Sequence, residues 1–79
     1  MSAIERLLNL ESHSLEVFKV GGEIAVMYMG GEITDGIVRI GAFGKGTTVE
    51  EACEDYLNKI SGKTLVFGFG ENREEIKVL

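Results

Sequence analysis

The sequence predicts an α+β fold in the order α-β-β-β-α-β-β, an antiparallel sheet with two helices packed on one of its faces. Three observations lead there. Val49, Ala52, Cys53, Tyr56, Leu57 and Ile60 recur at helical spacing. Apolar runs of strand length lie on both sides of that segment. The chain holds eleven glycines and no proline, and the glycines fall between the apolar runs as turn punctuation.

Taken in order, Ser2 to about Leu10 reads as a short helix. Ser2 and Glu5 have the spacing of a capping box, and Ile4, Leu7 and Leu8 share one face. About two turns are marginal alone, so this helix must dock. Leu15 to Val20 reads as a strand. Gly21-Gly22 then forms a two-residue hairpin turn into Glu23 to Met29. Gly30-Gly31 signals a bulge or second bend. Asp35-Gly36 turns the chain into a third strand, Ile37 to about Phe43, and the three make a meander. Thr48 with Glu51, or Thr47 with Glu50, caps the main helix, and Gly62 ends it. Thr64 to Phe69 and Glu74 to Leu79 read as two final strands joined through Gly70-Glu71-Asn72. Four or five strands result.

At 79 residues the chain makes one domain, 1–79, with a thin core. One cysteine, Cys53, excludes an internal disulfide, and one histidine, His13, leaves no cluster for a metal. Oligomerisation is the remaining way to strengthen so small a core. The strand residues point the same way. Ile24, Val26 and Tyr28 are apolar on one side, and Ala25, Met27 and Met29 on the other. A second copy of the chain would cover what two helices cannot, so a homo-oligomer is expected. Met27, Tyr28 and Met29 suit either a core or an adaptable contact surface.

The net charge is −5, which lacks the basic footprint of direct nucleic-acid binding. No apolar run reaches the ~20 residues of a membrane span. Met1 to Arg6 has no signal-peptide pattern, and the lone free cysteine fits a cytoplasmic, reducing setting. Catalysis by Cys53 with His13 would need an orienting third group, and none is apparent. The chain therefore reads as a noncatalytic binding protein without a cofactor, not an enzyme.

Two candidate sites stand out. Glu50, Glu51, Glu54 and Asp55 load the first half of the main helix with negative charge and offer an acidic face to a protein partner. Reversing Glu51 and Glu54 to Lys would then weaken partner capture. The alternative is a small anionic ligand, such as a nucleotide, held by Lys45, Gly46, Thr47 and Thr48 at the helix N-terminus. That loop departs from the phosphate-loop pattern. Only Ala42 and Phe43 separate Gly41 from Gly44, and Gly46 follows Lys45 where Ser or Thr should stand.

The passage Gly44-Lys45-Gly46-Thr47-Thr48-Val49-Glu50-Glu51-Ala52 resembles the Gly-x-Thr-x-Glu-Glu-Ala helix entry of HicB-like antitoxin domains. The resemblance implies a β-β-β-α-β unit from Leu15 to Phe69 and an inhibitory, oligomeric binding role. The sequence departs from that family in lacking a Pro-Asp-type motif and the DNA-binding segment often attached to such antitoxins. The last hairpin, Gly70-Glu71-Asn72 before Ile76-Lys77-Val78-Leu79, is loosely similar to the tail of small acidic phage inhibitors of uracil-DNA glycosylase. Both likenesses imply compact inhibitors of the kind phages and mobile elements carry.

Overall fold

The computed structural model describes residues 2–11, 14–34 and 36–79. The expectations for His13 and Asp35 lie outside the described residues.

Helix α1 spans Ala3–Leu10. Its capping box forms as the sequence implies: the Glu5 N–H donates to Ser2 Oγ, and the Ser2 N–H donates to Glu5 Oε1 at 3.2 Å. Strands β1 (Leu15–Val20) and β2 (Glu23–Tyr28) pair antiparallel across Gly21-Gly22. Both glycines have positive φ, 58° and 88°, the geometry of a two-residue turn that twists with its strands. Strands β3 (Gly31–Thr34), β4 (Arg39–Gly41) and β5 (Gly44–Gly46) follow. Helix α2 spans Val49–Ile60, and β6 (Thr64–Phe67) and β7 (Glu74–Lys77) close the chain around a 3-10 turn at Gly70–Asn72.

The α+β class and the helix-strand order are those read from the sequence. The strand count is higher, because the expected strand Ile37–Phe43 is split in two and Gly31–Thr34, expected only as a link between a bend and a turn, is itself a strand. The strands form two antiparallel sheets, β1-β2-β5 and β4-β3-β6-β7. Their registers show how the sheets are related. Strand β5 pairs with β2, and β4 pairs with β3. The segments β2–β3 and β4–β5 are thus two bent arms of one long hairpin. Met29-Gly30 bends the first arm, with Gly30 at φ 73°. Ala42-Phe43 interrupts the second, so the expected strand Ile37–Phe43 appears instead as β4 and β5. Beyond the bend, β6 pairs with β3 and β7 with β6.

Helix α2 lies against β2 and β5, and α1 packs on α2. The core gathers Leu7 from α1, Val26 and Tyr28 from β2, Ile33 from β3, Leu65 from β6, and Ala52, Cys53, Tyr56, Leu57 and Ile60 from α2. Tyr28 ties three elements. Its hydroxyl donates to the Leu7 carbonyl at 2.5 Å, and its N–H donates to the Tyr56 hydroxyl at 3.1 Å. Strand β5 stops pairing with β2 at Val26, so Tyr56 takes a backbone donor that the ladder leaves over. Burial raises both phenols above the ordinary tyrosine value. Of the Met27-Tyr28-Met29 trio, Tyr28 is core, Met27 is partly buried against it, and Met29 is exposed. Among the described residues, no helix is long and apolar enough to cross a membrane.

Candidate functional site

The β5–α2 junction holds the Lys45–Thr48 candidate and two carboxylates of the acidic one, Glu51 and Asp55. Its geometry follows from two glycines. A Cβ on Gly44 would stand 2.2 Å from the Ala52 carbonyl oxygen and 2.4 Å from the Tyr56 nitrogen. A Cβ on Gly46 would meet the Ala52 nitrogen at 2.7 Å. Here glycine lets a strand lie directly against a helix backbone.

The polar groups of that junction bond to one another. Thr48 is the N-cap of α2, its Oγ1 accepting from the Glu51 N–H at 3.1 Å. The Glu51 carboxylate reaches back to Thr47, accepting from its N–H at 2.9 Å and its hydroxyl at 2.5 Å. Those bonds hold Glu51 below the usual carboxylate range. The Lys45 N–H donates to Asp55 Oδ2 at 2.9 Å, and Lys59 pairs with the same oxygen at 2.9 Å. The Lys45 bond first, then Lys59, lowers the Asp55 pKa. Lys59 also donates to the Phe43 carbonyl, and Lys45 Nζ lies 3.8 Å from Glu23. An anion settling on the N–H groups of Lys45 and Thr47 would have to displace two carboxylates that already occupy them.

The acidic face is similarly engaged. Glu50 accepts from the Ala3 N–H at 2.9 Å and so fastens the start of α1 to α2. Glu51 and Asp55 serve the β5–α2 junction. Glu54 makes none of these bonds and lines an open cleft of ≈ 340 Å³ with Ala3, Arg6, Glu50, Leu57 and Asn58. A second cleft of ≈ 290 Å³ adjoins it, sharing Arg6 and Leu57 and including Lys77. Cys53 is fully buried on α2, and its burial, with Glu50 nearby, raises the thiol pKa. A thiol so placed is a poor nucleophile. Among the described residues, no three His, Cys, Asp or Glu side chains gather as a metal site.

A different surface emerges on the second arm of the hairpin. Ile37, Val38, Ile40 and Phe43 are all exposed, Ile37 completely. Strand β4 lies at the end of its sheet, so its outer edge is unpaired. Phe69, 75% exposed, sits against Arg39, which leaves β4 on the opposite face from Ile40. The Arg39 guanidinium stacks on the Phe69 ring at 4.4 Å, donates to the Gly68 carbonyl at 2.9 Å and pairs with Glu32 at 2.8 Å. The turn beneath is tight, since a Cβ on Gly68 would stand 2.8 Å from the Asn72 carbonyl oxygen. An exposed aromatic is thereby held in one place.

Sequence reasoning passed over this surface. Ile37-Val38-Arg39-Ile40-Gly41-Ala42-Phe43 lacks alternation, which reads as a strand covered on both sides. The usable signal was the density of apolar residues beside a glycine turn.

Compared with protein-family models, curated proteins and solved structures, the chain matches none.

Proposed function

We propose that the chain is a noncatalytic protein-binding module that captures its partner on the apolar run Ile37, Val38, Ile40 and Phe43 together with Phe69. One observation carries this reading: Phe69 stays exposed while Arg39 stacks on it at 4.4 Å, fixing an aromatic anchor to the same hairpin arm that carries the exposed aliphatic side chains. Rigid aromatic and arginine side chains are the usual energetic centres of protein interfaces, because little conformational freedom is lost when they are buried. Soluble proteins rarely leave such groups clustered without a use. The partner therefore presents a complementary apolar groove.

The resemblance of the helix entry to HicB-like antitoxin domains gives this reading a biological form. The module would be an inhibitor of the antitoxin or phage-encoded kind, acting by occupying its target. The carboxylates of α2 then serve the fold more than the partner, since Glu50, Glu51 and Asp55 are bonded within the chain.

Affinity capture with the wild-type chain and an Ile37→Asp, Phe69→Ala double variant tests the proposal. A partner retained by the wild type and lost by the variant, at unchanged stability, is the expected result. Equal recovery of that partner by both overturns it.

A further inference from the structure

We propose that β1 pairs with the β1 strand of a second copy of this chain, antiparallel about a two-fold axis at Phe18, so that the two β1-β2-β5 sheets become continuous. This goes beyond the partner surface above, because β1 is the opposite edge of its sheet from β5.

The backbone supports it first. The two-residue turn makes Val20 and Glu23 a hydrogen-bonded pair, and the pairs alternate from there. The Met29 N–H donating to the Ser14 carbonyl at 2.7 Å fits that alternation. The peptide groups of Glu16, Phe18 and Val20 therefore face β2. Those of Leu15, Val17 and Lys19 face outward, as a row of unpaired donors and acceptors. No proline blocks the edge. Five of its six residues are exposed, including Val17 at 47% and Phe18 at 39%.

Charge favours a second copy as the occupant and narrows the register. The chain carries −5, yet β1 holds one Glu and one Lys and is neutral. Two copies can approach there without the repulsion that the acidic surfaces of a −5 chain impose. A two-fold axis perpendicular to the sheet must pass through a residue position, because facing residues share one side of the sheet. Centring on Glu16 or Lys19 would set like charges opposite each other, which is unfavourable. Centring on Phe18 sets two phenylalanines opposite in a non-hydrogen-bonded pair, where side chains approach most closely. It also places each Val17 opposite Lys19 of the second copy, whose aliphatic stem can cover it. Each Glu16 then faces Val20. The joined dimer presents two apolar partner surfaces, and a target with two sites would be held more tightly than by one copy.

Sedimentation equilibrium from about 1 μM to about 1 mM tests this, with the 79-residue chain and two variants. The wild type is expected to dimerise. Val17→Lys sets lysines opposite each other twice and should weaken the dimer, whereas Val17→Glu creates two Glu–Lys pairs and should tighten it about two- to tenfold. Circular dichroism should show both variants folded, since Val17 is half exposed and its peptide groups face away from β2. A wild type that stays monomeric throughout overturns the proposal. So does a Val17→Glu dimer weakened as much as that of Val17→Lys, which would place the axis or the interface elsewhere.

Discussion

Gly44 and Gly46 show how single residues set the local architecture. Each sits where a side chain would collide with the α2 backbone, and backbone cannot step aside as a flexible side chain can. Gly44→Ala should therefore destabilise the chain by about 3 kcal/mol or more, at the upper end of overpacking costs. Urea denaturation of the variant measures this, and a loss below about 1 kcal/mol would contradict it. The sequence showed these glycines but not their reason, because loop punctuation, anion cradles and close backbone approach look alike in one dimension. The carboxylates Glu51 and Asp55 make a second, titratable statement. Both have lower pKa values folded than their ordinary 4.5 and 3.8, through hydrogen bonds from Thr47 and Lys45. A group depressed on folding lends stability above its unfolded pKa and loses it as pH falls through the folded one. Thermal stability should thus decline as pH falls from about 5 toward 2, and a Glu51→Gln, Asp55→Asn variant should decline less steeply. Parallel pH profiles for variant and wild type would contradict the assignment. The same bonds predict that a nucleotide panel leaves the melting temperature unchanged, and a shift abolished by Lys45→Ala would reverse that reading.

At the scale of elements, legibility followed periodicity. Helix α2 was readable almost to its ends, because Thr48, the apolar spacing and Gly62 all agree on it. The hairpin β1–β2 was readable for the same reason, since Gly21-Gly22 admits few turns. The bent hairpin was not. Bends at Met29-Gly30 and Ala42-Phe43 depend on which neighbours the arms find, and no local pattern encodes that β6 joins the first arm only beyond its bend. The bend also creates a packing need that the chain meets with one hydroxyl. Tyr56 accepts the Tyr28 N–H at 3.1 Å inside the core, where no ladder partner remains. Tyr56→Phe leaves that donor unsatisfied and should cost about 1–3 kcal/mol. Chemical denaturation with unchanged spectra checks this, and a neutral effect would mean that another acceptor reaches Tyr28.

The whole molecule separates two tasks that the sequence left blended. Helix α2 and the glycine strand under it form the rigid part, where charged side chains close the junction between elements. Ile37, Val38, Ile40 and Phe69 are apolar side chains left more than half exposed on the second hairpin arm and the turn near it. Charge and motif reasoning drew attention to the first, because acidic helix faces and glycine-lysine loops are recognisable patterns. The second depends on three-dimensional exposure, which only the arrangement of strands reveals. The central claim is that the second surface meets the partner. Hydrogen-deuterium exchange on the captured complex, compared with the free chain, tests this most directly. The account predicts new protection at residues 37–43 and around Phe69, with α2 unchanged. Protection confined to Glu50–Asp55, with the apolar arm still exchanging freely, would contradict it and return the acidic face as the binding surface.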